Sequence, residues 1–213
     1  MIVYPLGVYR RLLMYFRSLT FFSITLLFLA CKPDAPAKAV PEYETIQYKG
    51  EAADEADRLI VKQFGEFKMQ LSNRLMAAMK EGGPEKAIEV CQVVSPEIEK
   101  SLSGEAQVLR VSQKPRNADH RASEVESMVL DLWAARLKEG KPIGAVVVPT
   151  ETGRVVMAPI QISGEMCLSC HGIGEQIKPE TAAALKKAYP SDEATGYSLN
   201  DLRGAFVARF TKK

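Results

Sequence analysis

From Ala52 to Met79 the apolar side chains Ile60, Phe64, Phe67, Leu71, Leu75 and Met79 recur at intervals of three and four, the spacing that lines one face of an α-helix. Gly82-Gly83 closes this pattern, as glycine commonly does just past a helix end. Pro84 suits the first position of a second helix. There Ile88, Cys91, Val94 and Ile98 share one stripe, Cys91 faces inward, and Pro96 is expected to kink or divide the segment.

After a break at Ser103-Gly104, Ala106 to Ser112 reads as a short strand. Ser123-Glu124-Val125-Glu126 has the spacing of a capping box. It opens a helix with Met128, Leu132 and Ala135 on its apolar side, running to about Lys138. Two β-branched runs, Ile143 to Val148 and Arg154 to Ile162, flank Pro149-Thr150-Glu151-Thr152-Gly153 and predict a hairpin with a longer loop. Lys178 to Ala188 predicts a short helix, and Leu202 to Thr211 alternates as a last strand. The sum is an α+β fold, an antiparallel sheet flanked by helices with a long N-terminal helix, in one domain over residues 51–213.

The N-terminal 30 residues differ from the rest. Arg10, Arg11 and Arg17 precede the apolar run Phe21 to Ala30, and no acid occurs before Asp34, which is the make-up of a secretory signal. The run is about ten residues, against the roughly 20 that a membrane-spanning helix needs. It ends in Leu29-Ala30-Cys31, which resembles a bacterial lipobox with Phe28 where Leu is usual. Residues 1–30 are therefore expected to be a lipoprotein signal peptide, and Cys31 the acylated residue that anchors the chain to a membrane. Residues 31–50, with Pro33, Pro36 and Pro41, read as an extended tether. The expected location is the cell envelope, facing the periplasm.

Removing residues 1–30 leaves 25 basic and 26 acidic residues, a net charge of −1. Without a run of Lys and Arg, a nucleic-acid partner is excluded.

Cys167-Leu168-Ser169-Cys170-His171 is the C-x-x-C-H arrangement of covalent c-type haem attachment. One turn of backbone presents both sulfurs to the vinyl groups at one porphyrin edge, and the adjoining histidine reaches the iron. With four Cys and two His in the chain, a chance occurrence has a probability on the order of one in a thousand. A thioredoxin-like pair needs a βαβ setting, and a zinc site needs four ligands where only Cys91 and His120 remain. Export also places the chain where c-type haem is attached. One haem c is expected, with Cys167 and Cys170 as attachment points and His171 as an axial iron ligand.

Cys91 is then the cysteine left over. It is either a small buried hydrophobe or the second iron ligand. His120, and methionines such as Met157 and Met166, compete for that position, and the residues alone rank His120 and Cys91 equal.

A resemblance now bears on the choice. Ala87-Ile88-Glu89-Val90-Cys91 with Pro96-Glu97-Ile98, Arg110 to Asn117, Cys167 to Gly172, and Gly196-Tyr197 with Asp201-Leu202-Arg203-Gly204 resemble, in order and spacing, the PAS-like single-haem c proteins first described in cyanobacteria. The likeness runs from about residue 52 to residue 210. It departs at Asn200, where the family commonly has Gly, and at Ala118-Asp119-His120, in place of a Pro-rich continuation. The resemblance implies a PAS-like sheet and, as axial ligands, His171 and Cys91. Arg110, Lys114 and Arg116 are candidates for pairing with haem propionates.

Two functions follow as expectations. One is a haem-based redox or gas sensor that signals through a separate protein partner. The other is a single-haem electron carrier. No acid–base or nucleophile constellation accompanies the motif, so an enzyme is not expected.

Overall fold

A computed structural model describes residues 44–45 and 54–212 of the chain. The expected signal peptide, Cys31 and most of the tether lie outside the described residues. Glu44–Thr45, expected within the tether, forms an edge strand, β1.

Helix α1, Glu55–Leu102, begins where the Asp54 carboxylate accepts from the Ala56 N–H at 3.1 Å. Its helical geometry is lost only at Gly82 (φ −146°) and Gly83 (φ 66°), so the glycine pair divides it into the two sections that the sequence predicts. Gly83 sits in the left-handed region that costs residues with a Cβ about 1–2 kcal/mol. Pro96 does not divide the second section. Its helix loses one N–H donor there and yet continues, with the preceding Ser95 fully buried and its hydroxyl engaged by Arg110.

Strands β2 (Ala106–Val111), β3 (Val146–Thr150), β4 (Gly153–Gln161) and β5 (Leu202–Thr211) join β1 in one antiparallel sheet of order β1-β3-β4-β5-β2. The fold is α+β, as expected. The β3–β4 hairpin is tighter than the expected loop. Thr150 pairs with Gly153, leaving Glu151-Thr152 as a two-residue turn. A side chain at Gly153 would collide with the Phe210 carbonyl, which is why the strand can continue through it.

Strand β5, between β4 and β2, is covered on both faces, and its alternation sorts the core. Phe206 and Ala208 join Val61, Phe64, Phe67 and Leu71 of α1, with Phe206 stacked on Phe64 at 5.7 Å between ring centroids. Ala205 and Val207 turn to the other face, against helix α2, Glu124–Lys138.

The capping box of α2 is present: Ser123 Oγ accepts from the Glu126 N–H, and the Glu126 carboxylate accepts from the Ser123 N–H. The buried face is not the expected Met128, Leu132 and Ala135 stripe but Glu126, Val129, Leu130 and Trp133. The rotation has a physical cause. Glu126 is wholly buried and receives two hydrogen bonds from Arg209, at 2.7 and 3.0 Å, from the α2-facing side of β5.

Removing one member of a buried ion pair strands the other's charge. Arg209→Met is expected to cost about 3 kcal/mol in urea denaturation, and Glu126→Gln in the same chain to recover most of the loss.

Candidate functional site

The C-x-x-C-H segment forms helix α3, Glu165–His171. Helical spacing puts Cys167 and Cys170 three apart and Cys167 and His171 four apart, on one face. Leu168 points the other way and is buried with Ile162 and Tyr197. The helix stops at Gly172, where a side chain would strike the Leu168 carbonyl and the Gln176 side chain. The chain then pairs with the segment before β5. Gly196 N–H donates to the Gly172 carbonyl at 2.9 Å, and Tyr197 N–H to the His171 carbonyl at 3.0 Å.

That segment also orients the His171 ring. Nδ1 lies 2.6 Å from the Ala194 carbonyl oxygen, so the proton belongs on Nδ1 and Nε2 is left as a free donor of its lone pair. The Tyr197 ring meets the imidazole edge-on at 6.3 Å. Burial, with help from Arg116 and Arg203, holds His171 well below the ordinary histidine range. The imidazole is therefore neutral at pH 7, the form that binds a metal.

His171, Cys167 and Cys170 line a cavity of about 520 Å³, within the span of ordinary cofactor pockets. Cys91 lines it from the second section of α1. The apolar stripe of the first section runs from the sheet core, at Phe64 and Phe67, into the same cavity at Leu75 and Met79. All three described cysteines are free thiols. Burial pushes the Cys91 thiol up, while Arg110 and Arg116 act in the opposite direction. Among the described residues, no group of three or more His, Cys, Asp or Glu is placed to hold a metal ion by itself.

The competing donors are placed differently. His120 ends a short 3₁₀ turn, Ala118–His120, and also lines the cavity, but its Nε2 lies 3.2 Å from the Glu99 carboxylate. Met166 lines the cavity from an exposed position. Met157 is buried on the α2 face of the sheet, among Trp133 and Val207.

Of the basic residues singled out in the sequence, Arg110 and Arg116 line the cavity and Lys114 does not. The Lys114 ammonium donates to the Thr195 carbonyl at 2.6 Å and sits 4.7 Å over the Tyr197 ring. The third guanidinium of the cavity is Arg203, at the start of β5. Its Nε is buried without a hydrogen-bond partner. Sequence reasoning did not assign it a role, although it sits in the Asp201-Leu202-Arg203-Gly204 stretch already singled out.

These residues fit a covalently held haem: two thiols and a neutral imidazole on one helix face, a further thiol on another element, and an orphaned guanidinium donor for an anionic group.

Asn200 has φ 70°, which explains why glycine is common there in the resembling family, asparagine being among the side chains that tolerate this region. Its N–H donates to the Ile162 carbonyl at 2.8 Å, so its backbone holds the segment beside α3. Asn200→Gly is expected to leave stability within about 0.5 kcal/mol, and Asn200→Val to lower it by about 1–2 kcal/mol, read by thermal denaturation.

The family model described as Tll0287-like matches residues 46–211. A structure described as the crystal structure of the cyanobacterial haem protein Tll0287 aligns with a TM-score of 0.57 at 20% identity, over 76% of this chain and 98% of that one. At that identity the likeness carries the fold. No curated protein matches the chain.

Proposed function

The chain belongs to the Tll0287-like family, and on that footing we propose that it is a haem protein holding one haem c through Cys167 and Cys170, with His171 and Cys91 as axial ligands. A solved structure that shares its fold is described as a haem protein. The observation that carries the finer reading is that one cavity is lined by both thiols and the imidazole of α3 and, from α1, by the thiol of Cys91. His120 is the weaker second ligand because its Nε2 is already engaged by Glu99.

When bound, haem supplies a one-electron couple whose potential is set by the axial ligands and the charges around them. The chain's own residues divide the remaining work. Ala194 keeps the His171 proton on Nδ1. Burial, the larger influence, favours the neutral Cys91 thiol over the opposing Arg110 and Arg116, so a thiolate there would depend on a bound metal.

A ligand that can regain its proton suits a redox or gas sensor. A change at Cys91 acts on α1, through which the signal passes to a separate protein partner. We further propose that the domain is held at a membrane of the cell envelope by an acylated Cys31, and that it does not turn over a substrate. The electron-carrier reading has one observation in its favour: Met166 on the attachment helix and Ile173 just beyond it are both exposed and offer an apolar surface to a redox partner.

The purified protein is expected to keep its haem through denaturing electrophoresis and to show a low-spin, thiolate-ligated ferric EPR spectrum. Cys91→Ser abolishes that spectrum and His120→Ala leaves it. Its survival in Cys91→Ser would overturn the ligand assignment. Stopped-flow mixing of the reduced protein with CO separates the two functions, rapid binding marking a sensor and an inert ferrous haem a carrier.

A further inference from the structure

The positive charges of the cavity are met by acids, with one exception. Arg110 Nε lies 3.4 Å from Glu99 Oε1, and its Nη2 donates to the Ser95 hydroxyl. Arg116 Nε lies 3.0 Å from Asp192 Oδ2, and its Nη2 donates to the carbonyls of Cys170 and Ala194. Arg203 makes no ion pair with a carboxylate among the described residues, and Asp192, already paired with Arg116, acts on it only at longer range. Its Nη1 donates to the Lys114 carbonyl at 3.2 Å, its guanidinium lies 5.5 Å from the Tyr197 ring centroid, and its buried Nε has no partner.

A buried N–H that has left water and gained nothing in return is costly, more so on a cation. Burial and the neighbouring Arg116 and Arg110 bring Arg203 down to about 10, so it remains charged at neutral pH. Three guanidinium groups against two carboxylates leave the cavity one positive charge in excess. An anionic oxygen within reach of the buried Nε–H would complete it.

We propose that Arg203 is the carboxylate-binding residue of the cavity, its Nε–H receiving a propionate of the haem. This rests on the reading that the cavity holds haem. The role falls to Arg203 rather than to Lys114, whose ammonium is spent on Thr195 and Tyr197 outside the cavity, and rather than to Arg110 or Arg116, whose charges are already met. Planar guanidinium groups suit the task because they offer a carboxylate two parallel donors.

Arg203 has a second effect through charge. It disfavours the ferric state, so its removal lowers the midpoint potential. It also keeps the paired propionate ionised in both redox states. Without it, that propionate takes up a proton on reduction, and the potential acquires a pH dependence within the carboxylate range.

The test is a spectroscopic redox titration of the haem-loaded protein, across pH 4 to 8, for the wild type, Arg203→Gln, Arg203→Lys and Lys114→Gln. In Arg203→Gln the ferrous to ferric ratio at fixed poise is expected to fall about tenfold, the size expected for one unit charge lost from a low-dielectric site, with a new pH-dependent segment that the wild type lacks. Lys114→Gln leaves both unchanged. If Arg203→Gln does not fold, Arg203→Lys keeps the charge but loses the fork, and is expected to shift the propionate bending band in resonance Raman. A folded Arg203→Gln with wild-type potential and pH profile, or an unshifted band in Arg203→Lys, overturns the proposal while the haem reading stands. A wild-type chain without covalent haem overturns that reading, and this one with it.

Discussion

The burial of strand β5 between two helices is the constraint on which the rest of the structure depends. Because successive side chains leave a strand in opposite directions, Phe206 and Ala208 are committed to α1, and Val207 and Arg209 to α2. Phe64 and Phe67 seat α1 on Phe206, and the same helix, past its Gly82-Gly83 break, carries Cys91 to the cavity. At its other end β5 delivers Arg203 to that cavity. The segment leading into it holds the His171 backbone and ring through Tyr197 and Ala194. One strand thus positions a candidate ligand on each of two separate elements.

Charge in the cavity is arranged around that frame. Arg110, Arg116 and Arg203 raise the cost of any further positive charge there. They help keep His171 neutral and work against the burial that would keep Cys91 protonated. A cavity lined only by apolar groups would favour a neutral thiol and nothing else. The guanidinium groups lessen that preference without reversing it, and Glu99 and Asp192 relieve their mutual repulsion.

Much of this was legible in the sequence. The strand β5, helix α4 (Pro179–Ala188) and the capping box of α2 lie where periodicity and cap chemistry place them, because in each the local preference and the packing agree. The misses share a cause, which is that tertiary contacts override a local rule. Pro96 remains helical because Ser95 is pinned by Arg110. The face of α2 turns because Glu126, polar by itself, is buried by a partner 83 residues away. Residue type alone does not distinguish Lys114 from Arg203. Only the fold shows that one donates to a loop carbonyl outside the cavity and the other is buried in it with a donor to spare.

The distribution of donors between elements has a functional consequence. Three of the four proposed attachment points lie within five consecutive residues of one helix, and covalent bonds at two of them would hold a ligand whatever the rest of the cavity does. Cys91 and the arginines are then relieved of retention. A group that need not contribute to binding is free to weaken, protonate or exchange its bond without loss of the cofactor. Cys91 meets that description, since it is the only one of the four borne by α1 and its protonation is opposed by charge and favoured by burial. A site that depended on Cys91 for retention would have no such freedom, and the proposed covalent attachment on α3 would therefore make a labile ligand on α1 compatible with a permanently loaded protein.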